Sequence, residues 1–296
     1  MLNYHRVDKE SDYEVMRRIV QKRCASTGHL YTQMHVGNLD FERYAFRDNP
    51  DDFLRNSWLI TDNKSETIGF IMTEDDEFFI SLLPEKNHLI SEVIDYIEQH
   101  IYKTGSKVIF DINIMDSQMK DMLIKKGYTR TSSYRYSGFC DLSSIRSKTV
   151  LPRGYRIRKT NINDIERRVK LFVLATGGVE TTTERYKNLM NSPSYSDAFD
   201  LVVESPDGEI VAYCTIWNDP ISKVAILEPL ACIEEERRKG ISKALLLDGM
   251  HKVKELKTQF VYVGTGGQNA TSQTLYKSVG FKECGLNYEW EKVLVD

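Results

Sequence analysis

Between Glu228 and Leu245 the chain passes from an apolar strand through a charged turn into a helix, and such a junction is built to hold an anion. It reads Glu228-Pro229-Leu230-Ala231-Cys232, then Ile233 and three glutamates, then Arg237-Arg238-Lys239-Gly240-Ile241-Ser242-Lys243. The first N–H groups of a helix lack internal partners, and the helix dipole favours negative charge beside them. Gly240 allows close approach and unusual dihedrals, Ser242 keeps the first turn uncrowded, and the three basic residues add positive charge. A pyrophosphate fits that description. The GxxxxGK[ST] pattern of a P-loop is missing from the segment. Taken alone, the same turn also reads as a solvated surface feature.

A second constellation follows. Asn269 stands where a strand gives way to a helix, with Leu275-Tyr276 on that helix and Gly280-Phe281 at its end. Other chemistries find less support. The histidines (His5, His29, His35, His88, His100, His251) show no HxxxH or HExxH spacing, so no metal is expected. Five cysteines without CxxC spacing read as free thiols, and no GxSxG marks a covalent nucleophile.

The elements that must position these residues are of mixed α/β type. Polar, aperiodic Ser143 to Gly154 ends in a proline and a glycine and marks a boundary, giving domains 1–148 and 149–296. In the second, helical spacing covers Asn163 to Ala175 and Thr183 to Met190. Strands are expected over Asp200–Glu204, Ile210–Trp217, Val224–Cys232, Gln259–Thr265 and Tyr288–Val295, with helices over Ser242–Leu256 and Ala270–Val279. Internal repetition is also present, because Val108 to Tyr128 lies without gaps on Val261 to Phe281, each a strand, loop, helix and Gly-aromatic end. A duplicated domain accounts for it.

Composition bounds the function classes. Hydrophobic residues at 41% and charged residues at 28% describe a globular chain, and no apolar run has the length of a signal peptide core or a membrane span. A cytoplasmic protein is expected. The 40 basic and 43 acidic residues divide 20 and 23 before Arg153 and 20 and 20 from it onward, so neither half has the basic excess of a nucleic-acid or anionic-membrane binder.

Together the two constellations resemble the GNAT superfamily of N-acetyltransferases, in which a strand is followed by [Q/R]-x-x-G-x-[G/A] and later by N-x-x-A-x-x-L-Y-x-x-x-G-F. Here the first stretch is Arg237 to Ser242 and the second Asn269 to Phe281, with Ser242 and Ser272 replacing small residues of the pattern. The resemblance covers the second half. It implies two GNAT-like domains in tandem, each a mixed, mostly antiparallel sheet flanked by helices, with acetyl-CoA as co-substrate between splayed strands. The acetyl-CoA arm would pair with Leu230, Ala231 and Cys232, its pyrophosphate would sit on Arg237 to Lys243, and Asn269 would meet it from the other side. The resemblance also implies that Tyr276 touches acetyl-CoA and serves as general acid, and that a backbone N–H near Leu230 or Ala231 polarises the carbonyl.

An amine must lose a proton before it attacks, and Glu228, beside the strand-interrupting Pro229, is the candidate base. An exposed strand carboxylate is the other reading of it. Glu180, in the connector Thr176 to Thr183, and Trp217 with Asp219 at a strand end are expected to contact the acceptor. Shifting the repeat up the chain places Pro84, Asn87 and Leu89 opposite Arg237, Gly240 and Ser242, and Leu123 opposite Tyr276. The first half is therefore a degenerate domain whose task would be to wall the acceptor pocket or orient the active half. The leading expectation is acetylation of a primary amine of a small molecule in a ternary complex. Protein or peptide acetylation and a non-catalytic acetyl-CoA sensor are the alternatives, and the oligomeric state is open.

Overall fold

Twelve strands join into one continuous sheet in the computed structural model, which describes residues 2–27, 34–101, 107–175 and 181–294. The first half contributes β1 (Asn3–Arg6), α1 (Glu10–Thr27), α2 (Val36–Tyr44), β2 (Ser57–Thr61), β3 (Thr67–Glu74), β4 (Glu77–Leu82), α3 (Ile90–Tyr96), β5 (Lys107–Asn113), α4 (Ser117–Lys125) and β6 (Thr129–Asp141). The second contributes β7 (Arg156–Lys159), α5 (Ile165–Ala175), α6 (Thr183–Met190), β8 (Asp200–Glu204), β9 (Ile210–Asp219), β10 (Val224–Cys232), α7 (Ile241–Glu255), β11 (Phe260–Gly266), α8 (Ala270–Ser278) and β12 (Lys282–Val293). Successive strand residues face opposite sides of the sheet. On β10, Ala225 and Leu227 therefore meet α7 on one face, while Ile226 meets α5 and α6 on the other.

The repeat seen in the sequence is structural. A shift of 153 residues (107 to 260, 125 to 278) carries β5 onto β11 and α4 onto α8 at both ends. Even the helix caps correspond: Asp116 accepts from the Met119 N–H at 3.0 Å, and Asn269 accepts from the Ser272 N–H at 3.0 Å.

Strand order is β1-β2-β3-β4-β5-β12-β6-β11-β10-β9-β8-β7, so the last strand of each half sits in the other half's sheet. β12 pairs antiparallel with β5 and β6, and β6 pairs with β12 and β11. The cores follow the exchange. Trp290 of β12 is buried with Val108, Phe110 and Tyr128, whereas Tyr136 and Cys140 of β6 are buried with Val261, Tyr276 and Phe281. Across the β5–β12 pair, Asn113 donates to Asn287 at 2.9 Å in a buried side-chain hydrogen bond.

Helices α1 and α2 of the first half also dock on the second. Gln21 donates to Asp219 at 2.9 Å, and Arg17 donates to the Ser194 hydroxyl at 3.0 Å. Gly37 lets α2 approach β9 closely, because a Cβ there would stand 2.2 Å from the Trp217 Cβ. These contacts fix where α2 lies over β10.

Candidate active site

Strands β10 and β11 run parallel for only three paired residues, Val224 to Ile226, and then separate. At the point of separation the register of β10 against β9 shifts between Leu227 and Leu230, where Pro229 has no N–H to give a ladder. Beyond it, Leu230, Ala231 and Cys232 pair with β9 on one edge, opposite Cys214, Tyr213 and Ala212. The other edge faces the split with no strand on it. A cleft of about 270 Å³ opens there, between Ile226 and Glu228 on one side and Tyr262 to Gly266 on the other.

The first half closes the cleft. His35, Asn38 and Glu42 line it from α2 and the residue before it, and Arg135 and Ser137 line it from β6. His35 holds the helix in place: its Nδ1 accepts from the Gly37 N–H at 3.0 Å, so the proton lies on Nε2, which donates to the Val224 carbonyl at 3.2 Å. Burial lowers its pKa to about 4, which keeps the ring neutral.

Glu228 is open to the cleft and surrounded by protein on its other sides. Its Oε2 accepts from Asn38 Nδ2 at 2.8 Å, and its backbone carbonyl accepts from Trp217 Nε1 at 2.7 Å. Desolvation raises its pKa above the ordinary carboxylate value, against the opposing pull of Arg135 and the Asn38 hydrogen bond. The Glu42 pKa is also raised, to about 8, by burial first and then by the charges of Glu74 and Glu228, with Arg47 opposing. Two carboxyls from different halves thus share one cleft.

Tyr276 lies buried on α8 with its ring 5.7 Å from that of Phe281, and its hydroxyl makes no hydrogen bond among the described residues. Burial first, then Cys214, Glu228 and Tyr136, raises its pKa above the tyrosine norm, so it stays protonated at neutral pH. At the mouth of the split, Gly240 precedes α7 at φ 81°, a left-handed conformation that disfavours any side chain, and no side chain caps the helix. The N–H groups of the first turn, Ile241 to Lys243, are left for an anion. Of the basic residues before it, Arg237 donates through Nε to the Cys232 carbonyl at 3.2 Å and Lys239 pairs with Glu236 at 2.8 Å, while Arg238 is exposed and makes neither kind of contact among the described residues.

Asn269 at the start of α8 lines a neighbouring pocket with Tyr134, Gly266 and Gly267, and Gly266 lines the cleft as well. A family model described as the acetyltransferase (GNAT) family matches residues 171–281. An N-alpha-acetyltransferase of the archaeon Sulfurisphaera tokodaii is 30% identical over 142 residues, covering 44% of this chain and 82% of that protein. The chain belongs to the GNAT acetyltransferase family. Two solved structures share the whole architecture at low identity. A tandem GNAT protein from the clavulanic acid biosynthesis pathway superposes with a TM-score of 0.67 at 11% identity, covering 99% of this chain and 98% of that one. A GCN5-related N-acetyltransferase from Sphaerobacter thermophilus gives 0.65 at 13%, covering 98% and 95%. The protein is thus an acetyl-CoA-dependent acetyltransferase of tandem GNAT architecture.

Within this GNAT enzyme, three residues expected at the acceptor need separate comment. Trp217 is 1% exposed, lies among Phe41, Tyr186 and Leu189, and donates to the Glu228 carbonyl without lining the cleft. Asp219, 2% exposed, caps the turn after β9 by accepting from the Ile221 and Ser222 N–H groups and holds Gln21 of the first half. A strand end is a natural site for such a cap. Glu180 lies outside the described residues. Asn38 and Glu42, by contrast, were not anticipated. Their one signal is a polar pair at i and i+4 among Val36, Leu39 and Phe41, and that spacing equally describes a solvated helix face.

Proposed function

We propose that the second half, 149–296, acetylates a primary amine of a small molecule by direct attack within a ternary complex, and that the first half, 1–148, walls its acceptor pocket. Acetyl-CoA supplies the acetyl thioester. The amine nitrogen bonds to the carbonyl carbon as the C–S bond breaks, and the nitrogen's proton and the departing sulfur's proton must both be managed. Glu228 takes the proton from the incoming ammonium, a backbone N–H at Leu230 or Ala231 polarises the carbonyl oxygen, and Tyr276 donates to the thiolate. Arg237, Arg238, Lys239, Gly240, Ile241, Ser242 and Lys243 hold the pyrophosphate, and Asn269 steadies the cofactor arm.

The observation that carries this reading is Glu228 held by Asn38 at the point where β10 leaves β11. The cleft volume, about 270 Å³, suits a small acceptor end. The name of the archaeal relative favours a second reading, acetylation of a protein N-terminus. Glu228→Gln tests the first in a panel of amines and N-terminal peptides. The carboxylate is a base only above its raised pKa, and an alkylammonium loses its own proton near about 10, so kcat/KM should fall about 100-fold or more between those values. The loss should shrink at lower pH, where the wild-type carboxyl is itself protonated, and at higher pH, where the amine is already free. A ratio of wild type to variant that is flat across pH removes Glu228 from the mechanism.

A further inference from the structure

The acetyl-transfer cleft presents more carboxyl groups than cations. Asn38 and Glu42 share one face of α2 about 6 Å apart along its axis, and both line the cleft with Glu228, the carboxylate Asn38 holds. Glu74 of β3 is close enough for its charge to raise the pKa of Glu42. The opposing charges are two guanidinium groups. Arg47 reaches Glu74 at 3.3 Å and donates to the Glu42 backbone carbonyl at 2.5 Å, and Arg135 is ion-paired with Asp111. Of the charged groups that line the cleft, Glu42 and Glu228 outnumber Arg135, and Arg135 is itself ion-paired with Asp111. Burial raises the Glu42 pKa to about 8 and the charges of Glu74 and Glu228 add to the rise, so the pocket takes up a proton where no cation is present.

The splayed strands make this cleft a site, and its acids decide what enters. Resting on the reading that the reacting amine meets Glu228, we propose that the acceptor is a diamine or longer polyamine, with the reacting nitrogen at Glu228 and a second ammonium at Glu42. A spacer of about three to five methylene groups bridges that distance. An acceptor with a carboxylate in place of the second ammonium meets like charge and is rejected. The first half then supplies the residue that chooses the substrate.

The full-length enzyme with acetyl-CoA is assayed on 1,4-diaminobutane, butylamine and 4-aminobutanoate, with kcat and KM measured separately. The diamine should exceed butylamine by about 10- to 100-fold in kcat/KM, the worth of a charged hydrogen-bonded contact, and 4-aminobutanoate should rank last. Glu42→Gln should collapse the diamine-to-butylamine ratio toward one, through KM. Calorimetry in two buffers of different ionisation enthalpy should show proton release when the diamine binds the wild type. Equal turnover of the three amines, no turnover of any, or a ratio that survives Glu42→Gln overturns the inference. Should Glu42→Gln fail to fold, the wild-type ranking decides alone. Butylamine turnover that depends on Glu228 without diamine preference leaves the catalytic reading standing and removes only this one.

Discussion

The two halves share a fold and differ at one strand end. In the second, β10 ends at an unpaired edge, and Gly240 leads into the uncapped α7. In the first, β4 pairs with β5 at a single position and is followed by a short 3-10 turn, Pro84–Leu89, before α3. There Arg23 of α1 donates to the Leu82 carbonyl at 2.9 Å and to the Asn87 side chain at 3.0 Å. The backbone that the second half leaves open is tied down internally in the first. A half that has spent its strand end on its own arginine is suited to act as a wall, and α2 of that half reaches the cleft.

Three changes, with Asn87→Glu as a control, would break or sharpen this contrast. The largest effect is expected from Trp290→Ala, because its side chain is buried in the first half's core although its strand is the last of the second. A Trp-to-Ala truncation in a core costs about 3–5 kcal/mol, read by chemical denaturation. A loss near zero would mean that β12 contributes little to the first half. Next, Gly240→Glu should weaken acetyl-CoA about 100-fold in calorimetry, since a left-handed site disfavours the side chain and a carboxylate opposes the phosphates. Asn87→Glu, in the corresponding turn of the first half, should leave one site of unchanged affinity. Two sites in the wild type would erase the distinction between halves. The smallest effect belongs to Tyr276→Phe, whose counterpart in the first half is Leu123. It should lower kcat about tenfold at neutral pH, the modest end for an acid because a thiol near pKa 8.5 already leaves tolerably, with the deficit fading as pH rises. Full activity at neutral pH with chemistry rate-limiting would assign the proton to another donor.

Local structure was legible where a residue's own type enforces it. The spans Asp200–Glu204, Val224–Cys232 and Thr183–Met190 are the expected ones, and Gly280 ends α8 at a positive φ as its type suggests. The strand reading of Tyr288–Val295 captured only the end of β12, because Lys282 to Asn287 carries a polar run with Gly285 and an irregular register. Alternation tells that a strand exists and says nothing of which edge it joins, so the exchange of β6 and β12 was not visible. Asn38 stands 190 residues from Glu228, a separation that no periodicity spans.

The exchange also sets an order of events during synthesis. Strand β6 leaves the ribosome soon after β5 and is the first partner available to it, yet in the finished molecule β12 lies between the two. At roughly 5–20 residues per second, the 168 residues (114 to 281) between the end of β5 and the start of β12 take roughly 10–30 s to appear. For that interval the nascent first half carries an open edge at β5, liable to pair with β6 or with another chain. A half-built sheet therefore keeps that edge exposed until its last strand arrives.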